Sequence, residues 1–365
     1  MNFVDILEHR REPQPAGIVV SSRVRLARNL TGKPFPLWAN KAQRIEILQR
    51  LKPEVAHLSS MTDPLVVDMQ ELTPLQKQVL VERHLISREQ QQKGSGSGVA
   101  INDELSLSIM INEEDHLRLQ GIRPGLDLEG AFSLVNKADD ELEDLVQVAF
   151  DMELGYLTAC PTNVGTGMRA SAMLHLPGLV LVDRMNQVVQ SVNKLGLVVR
   201  GIYGEGTEAM GNLFQISNQT TLGESEEEIL ARLRKVIDMV LHHENNARET
   251  LVDVKPAMLQ DQIGRAFGIL KHAHSLASKE ALNLLSSLKL AVDLGLFPRE
   301  TRLLFEDLVT DTQPAHLQFY QPKKLSADQR DRLRADLVRE KFESLQAPDT
   351  QTLKAKNSED QPEES

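Results

Sequence analysis

Apolar and polar positions change period several times along this chain, and each change marks an element. From Gly17 to Asn29 the run G-I-V-V-S-S-R-V-R-L-A-R-N leads into the two-residue alternation of a strand, which places Arg23 and Arg25 on one side. Helical spacing follows over 40–52 and 73–86, the second opened by Thr73 as N-cap and Pro74 in the first turn. A Gly/Ser loop spans 94–98, and strand-like runs cover 99–102 and 105–112. Leu128, Phe132, Val135, Leu142, Leu145, Val146 and Phe150 recur at helical spacing and predict one long helix over 127–150. Beyond a loop at 160–171 come an alternating run at 171–176, a helix near 183–194, and strands at 196–200 and 213–216. Ser225 and Glu228 form a capping box that opens a helix reaching about residue 245.

After residue 250 the strand period disappears. Helices are predicted at 256–275, 278–293, 299–310 and 326–345, and a polar stretch at 347–365 is expected to be a disordered acidic tail. The expected class is α+β: a lead-in (1–20), a part that mixes strands and helices (21–250), an all-helical domain (251–346) and the tail.

Composition narrows the function. Hydrophobic residues make up 41% and charged residues 25%, as in soluble globular proteins. A net charge of −11 argues against a general nucleic-acid binder, whose affinity comes from surplus Lys and Arg. One cysteine makes no internal disulfide, which suggests a reducing compartment. The first residues hold no apolar signal core and apolar runs are short, so a cytoplasmic protein without membrane spans is expected.

Candidate chemistry gathers in loops. Cys160-Pro161-Thr162-Asn163-Val164-Gly165-Thr166-Gly167-Met168-Arg169-Ala170-Ser171 combines the sole cysteine, turn formers, two glycines and an arginine. It reads as an anion cradle in which glycine lets backbone approach a ligand. Arg23 and Arg25 repel one another unless an anion lies between them, or else they mark a solvated edge strand. Glu113, Glu114 and Asp115 follow a strand directly, either as a helix N-terminus or as working acids. A second glycine loop after Arg200 carries Glu205 and Glu208. There is no G-x-x-x-x-G-K-[ST] run, the G-x-G-x-x-A match at Gly165 lacks a strand–helix–strand setting, and no histidine pair has metal-ligand spacing. No metal site is expected.

Four blocks, Ser21-Ser22-Arg23-Val24-Arg25, Asn112 to Arg118, Cys160 to Thr166, and Arg200 to Glu205, resemble the guanidino (phosphagen) kinase family in the same order. That family transfers the γ-phosphoryl group of MgATP to a guanidinium nitrogen. By position, the resemblance implies nucleotide contacts at Ser21, Ser22, Arg23, Val24, Arg25, His84, Arg118, Arg169, Ala170, Ser171, Ala172, Met173, Arg200, Gly201, Ile202, Tyr203, Gly204 and Glu205, with the five arginines on the phosphates. It implies that Glu114 and Glu205 hold the acceptor guanidinium, with Cys160 against it. Glu113, Asp115 and Glu208 would support them. A guanidinium is protonated at neutral pH and a poor nucleophile, so paired carboxylates that orient it and accept a proton suit the reaction.

The layout departs from the family's metabolic members. Those carry a helical domain before the first block, whereas here twenty residues precede Ser21 and the helical part follows. Tyr203 stands where many of them have a basic residue. An open acceptor site suits an arginine side chain on a protein, and the chain resembles the bacterial protein-arginine kinases. Arg330-Asp331-Arg332-Leu333-Arg334-Ala335 fits a solvated helix face, but it also resembles that group's phosphoarginine-binding motif, which implies an allosteric clamp of Arg330 and Arg334 beside Asp331 and Ala335. The resemblance further implies misfolded proteins and a CtsR-like repressor as substrates, an McsA-like activator, a Clp ATPase/protease downstream, and a homodimer or larger assembly. A kinase for small guanidines and a non-catalytic phosphoarginine-binding adaptor are the alternatives.

Overall fold

The computed structural model describes residues 3–9, 17–201, 209–350 and Leu353. Its centre is an eight-stranded sheet in the order β2-β3-β4-β5-β1-β8-β10-β9, with every neighbouring pair antiparallel. The strands are β1 (Val19–Arg28), β2 (Leu65–Asp68), β3 (Gly98–Ile101), β4 (Leu107–Ile111), β5 (Leu117–Pro124), β8 (Met168–His175), β9 (Leu197–Gly201) and β10 (Leu213–Asn218). A separate small hairpin pairs β6 (Phe150–Asp151) with β7 (Gly155–Tyr156).

Alternation gives the sheet two chemically different faces. Val24, Leu26, Leu119, Ala170, Ala172, Leu174, Phe214 and Ile216 are all at most 2% exposed and share one core with the helices that cover them. Those helices include α2 (Lys41–His57), α5 (Leu128–Glu143), α7 (Met185–Lys194) and α8 (Glu226–Val254). Each buried Leu, Val or Phe contributes roughly 1.5–3 kcal/mol through removal from water. A second cluster packs α1 (Phe3–His9) and α3 (Pro74–Glu82) against the β2–β4 end, near the short α4 (Arg88–Gln91). Part of the lead-in is therefore structured, with Leu7 fully buried in that cluster.

The helical part has its own core, running from Leu251 to Leu353. It contains α9 (Pro256–His272), α10 (Ser278–Asp293), α11 (Thr301–Asp311), α12 (Pro314–Phe319) and α13 (Ala327–Phe342), with the short α6 (Pro177–Leu181) on the sheet side. The polar stretch after residue 346 is partly ordered: Asp349 N donates to Leu296 O at 3.0 Å and Leu353 is buried.

Several elements differ from the periodicity. α2 continues through Pro53 to His57, because Leu51 and Val55 on either side of it are buried on one face. α5 stops at Glu143 rather than at 150. Five acids at 139–144 oppose the negative end of its dipole, and the chain beyond pairs instead with residues 29–31, Ala149 N to Asn29 O at 2.7 Å and Thr31 N to Gln147 O at 3.0 Å. Residues 112–116 begin no helix. They turn the β4–β5 hairpin, with Asn112 at φ 54° and its N–H on His116 O at 2.9 Å. The strands at β2 and β5 and the helix α12 had no counterpart in the periodic pattern.

Candidate active site

The face of the sheet opposite the core is polar, and strand register concentrates its charge. Arg25 stands opposite Arg169 on β8 and Gln120 on β5, while Arg23 stands opposite Ser171 and Ile122. Arg118 lies opposite Ala27, and Arg200 on β9 lies opposite Gln215 on β10. All of these except Gln120 line a cavity of about 940 Å³, together with Ser21, Met173, Ser217, His84, Glu113, Glu114, Cys160 and Gly201. Further walls come from the α3–α4 segment, through Val81, Ile86 and Arg88, and from the helical part, through Leu282, Ser286, Lys289, Glu306, Val309 and Thr310.

Such cationic crowding is unfavourable in itself. Burial, then the charges of Arg169 and Arg118, lower the Arg23 pKa to about 10. Burial and the neighbouring arginines also depress Arg25, with only Glu113 opposing. Arg169 shifts down through burial and the fields of Arg200 and Arg118. His84, buried beside Arg23, is lowered to about 4 and is neutral at physiological pH. Arg23 donates to Gln215 Oε1 at 3.1 Å and Arg169 to Ser217 Oγ at 3.4 Å. Yet Nε of Arg25 and Nε of Arg169 are buried without a partner. Orphaned cationic donors on one wall fit an anion with several oxygens, such as a polyphosphate.

The opposite charge is held at one end. Arg118 donates from Nη1 to Glu113 at 2.8 Å and from Nη2 to Glu114 Oε2 at 2.9 Å. Burial would lower its pKa, but Glu113, Asp115 and Glu114 outweigh burial and raise it. The three consecutive acids have separate tasks. Glu113 is fully buried, accepting from Ser87 Oγ and from the Glu114 N–H. Asp115 is fully buried too, accepting from Asn29 Nδ2 and the Ala159 N–H, both at 2.7 Å. Only Glu114 opens on the cavity with an accessible side chain, 32% exposed. Because Ala159 precedes Cys160, Asp115 ties the hairpin turn to the cysteine loop. His116 completes the clamp, with Nδ1 accepting from Leu30 N at 3.0 Å and Nε2 facing Pro34 O at 3.1 Å.

The two glycines of the cysteine loop are required by its own packing, and Gly167 also lines the cavity. Gly165 (φ 112°) leaves 2.3 Å between an added Cβ and Thr221 O, and Gly167 (φ 65°) leaves 2.6 Å to Arg28 Nη1. Thr221 Oγ1 fastens the loop by donating toward Val164 O at 2.6 Å and Thr162 O at 3.0 Å. Cys160 is half-buried at the cavity edge, with Sγ 3.1 Å from Thr162 Oγ1.

The structure thus brings together Ser21, Arg23, Arg25, His84, Glu114, Arg118, Cys160, Arg169, Ser171, Met173, Arg200 and Gly201. Side chains of Ser22, Val24, Ala170 and Ala172 point to the core face instead; Ser22 Oγ, for example, donates to Gly125 O at 2.9 Å. Ile202, Tyr203, Gly204, Glu205 and Glu208 lie outside the described residues. Gln215, Ser217, Lys289 and Glu306 line the cavity without having stood out in the sequence. Strand alternation from Leu213 gives a signal for the first two, whereas the helical pair has none.

The R-D-x-x-R-A segment does not form a paired clamp as folded. Arg334 is 1% exposed and donates to Thr312 O at 2.8 Å, Leu276 O at 2.6 Å and Asp331 Oδ1 at 2.5 Å. Arg330 donates separately to Leu325 O at 2.9 Å. Ala335 is fully buried. Arg334 is a core donor joining α13 to the α9–α10 loop and to the end of α11, with its Nε and Nη1 taken by two carbonyls and the Asp331 carboxylate.

Comparisons with known proteins agree with this geometry. The chain matches the ATP:guanido phosphotransferase C-terminal catalytic domain over residues 46–247 and the protein-arginine kinase McsB C-terminal domain over 256–353. It is 44% identical over 339 residues to the protein-arginine kinase of Brevibacillus brevis, covering 92% of this chain and 95% of that one. It is 46% identical over 331 residues to that of Halalkalibacterium halodurans, covering 90% and 93%. Among solved structures, lombricine kinase superposes with a TM-score of 0.54 at 27% identity, covering 62% of this chain and 66% of that one. With a cationic sheet face and a carboxylate on one cavity, and relatives matched over nearly their whole length, this chain belongs to the guanidino phosphotransferase family, within the group of the protein-arginine kinases.

Proposed function

We propose that the cavity binds MgATP along the arginine face and receives the substrate's arginine side chain at the Glu114–Cys160 end. The carrying observation is the convergence of Arg23, Arg25, Arg118, Arg169 and Arg200 on one cavity that ends in an accessible glutamate. The arginines would neutralise the phosphates by multidentate contacts, the two orphaned Nε donors among them. Mg²⁺ carried on the nucleotide would screen phosphate charge.

Arg118 occupies Glu114 Oε2 and leaves Oε1 for an N–H of the acceptor. Glu205 would hold a second N–H, fixing the guanidinium plane, and Cys160 would pack beside it. As the P–N bond forms and the bond from the γ-phosphorus to the ADP oxygen breaks, a proton leaves the attacking nitrogen for a carboxylate. His84, neutral, would lie near the base end.

The same reading includes misfolded proteins and a CtsR-like repressor as substrates, an McsA-like activator, delivery to a Clp protease, a homodimer or larger assembly, and cytoplasmic location. It also includes stimulation by phosphoarginine at Arg330 and Asp331, which requires Arg334 to exchange its carbonyl partners for phosphate. Arg330→Ala tests that part: stimulation should vanish while nucleotide binding persists, and unchanged stimulation refutes it. The acceptor assignment is tested by offering MgATP with free arginine or with an arginine-rich protein. Protein labelling should dominate; turnover of free arginine without protein labelling would sink it.

A further inference from the structure

Strand β1 carries Arg23 and Arg25 to the cavity and ends at Arg28. The next residue, Asn29, is buried and engages both polar atoms of its side chain. Its Oδ1 accepts the His116 N–H at 2.9 Å. Its Nδ2 donates to Asp115 Oδ1 at 2.7 Å and to Leu157 O at 3.1 Å. An N–H only donates and a carbonyl only accepts, so His116 and Leu157 fix which end of the amide faces which.

These partners belong to the two segments that form the acceptor end. Asp115 and His116 directly follow Glu114 in the β4–β5 turn, and Leu157 stands three residues before Cys160. Asp115 Oδ1 takes the Ala159 N–H as well, so one carboxylate oxygen joins Asn29 to the residue before Cys160. The backbone repeats the join: Ala149 N donates to Asn29 O at 2.7 Å and Leu157 N to Ala149 O at 2.9 Å. Arg28 holds the other end of the cysteine loop, donating from Nη1 to Thr166 O at 3.0 Å. Asn29 does not itself line the cavity, so it reaches the reacting groups only through these neighbours.

In-line transfer needs the phosphorus and the accepting nitrogen at a set separation, and a misplacement of about 1 Å can cost on the order of 10²-fold. The phosphate-binding arginines Arg23 and Arg25 stand on β1, whereas Glu114 stands in a turn and Cys160 in a loop. We propose that Asn29 is a positioning residue that sets the separation between the phosphate-binding face and the Glu114–Cys160 pair. This rests on the assignment of that pair to the acceptor guanidinium. Alanine at this position would leave the buried His116 N–H without its acceptor and Asp115 without a donor. Aspartate would keep the shape but turn a second oxygen toward Asp115 and Leu157 O, both acceptors.

The test follows phosphoarginine formed by the full chain from MgATP and an arginine-rich protein, from about pH 8 down to about pH 6. Asn29→Ala should lower kcat about 10²-fold, while KM for ATP and the thermal shift given by MgATP stay near wild type. Asn29→Asp should be as impaired at about pH 8, where the new carboxylate opposes Asp115 amid Glu113 and Glu114, with only Arg118 countering, 3.9 Å from Asp115 Oδ2. Toward about pH 6 the two carboxyl groups can share one proton, which restores a donor, so kcat relative to wild type should rise roughly tenfold. His116 stays neutral throughout, its pKa lowered to about 4 mainly by burial. Wild-type kcat in Asn29→Ala, a fall in kcat matched by loss of ATP binding, or a pH-independent ratio for Asn29→Asp overturns the positioning role; the Asn29→Asp ratio decides where Asn29→Ala does not fold. Glu114→Gln is the control. If it is as active as wild type, the acceptor assignment fails and this role with it; if it is inactive while Asn29→Ala is fully active, only the role of Asn29 falls.

Discussion

Arginines in this cavity illustrate how one residue's position in a strand sets its energetics. Arg25 faces Arg169 across β1 and β8, with Arg23 two residues away on the same face. Its buried charge meets three like charges and one opposing carboxylate, Glu113. Removing that charge relieves repulsion and desolvation at once. Arg25→Met should therefore melt above wild type in the absence of nucleotide, at about 2–4 °C per kcal/mol for a domain of this size. The same variant should lose the stabilisation that MgATP gives wild type. A lower melting temperature for the empty variant would contradict the repulsion argument. Glu114 makes the complementary case: Glu114→Gln should lower kcat by roughly 10²–10⁴-fold with nucleotide affinity little changed, measured as phosphoarginine formed per enzyme. Period-two alternation made the Arg23–Arg25 pair readable in the sequence, and the same alternation assigns Ser22 and Val24 to the core. The separate tasks of Glu113, Glu114 and Asp115 were hidden, because a tight turn rather than a helix sets their directions.

At the scale of elements, two joints hold the site. The first is the cysteine loop. Gly165→Ala must place a Cβ 2.3 Å from Thr221 O at a φ of 112°, so it should cost on the order of 2 kcal/mol or more in denaturant unfolding. The second is the contact of α12 with α3. Glu82 accepts the N–H groups of Ala315 (3.0 Å) and His316 (3.2 Å), and meets His316 Nδ1 at 2.7 Å. Glu8, from α1, lies 3.6 Å from His316 Nε2 and binds Arg83. Burial opposes protonation of His316, but its contacts with Glu8 and Glu82 prevail and raise its pKa above 6.5. A raised histidine stabilises the folded state fully below its unfolded pKa, and that contribution is lost as pH rises through the folded value. The stability gap between wild type and His316→Gln should accordingly be largest below about pH 6.5 and shrink in alkaline buffer. A gap that widens with pH would exclude the ion pair. α12 was not legible because six residues containing Pro314 carry little periodic signal, and its partner Glu82 is more than two hundred residues away in sequence.

For the whole molecule, the cavity lies between the polar sheet face and the helical part. The sheet face was foreshadowed by four short blocks that register draws together. The helical wall was not, since Lys289 and Glu306 belong to ordinary amphipathic helices whose docking is set by distant contacts. Lys289 is 4% exposed and pairs with Glu306 at 3.4 Å, and both line the cavity, so the helical part supplies one of its walls. Phosphoryl transfer to protein arginine through Glu114 can be read in one experiment. Wild type and Glu114→Gln are incubated with MgATP and an arginine-rich protein, and phosphate is mapped by mass spectrometry under conditions that preserve acid-labile P–N bonds. Wild type should yield phosphoarginine and the variant should lose nearly all of it; phosphate confined to Ser, Thr or Tyr, or undiminished arginine labelling by Glu114→Gln, would rule out this transfer.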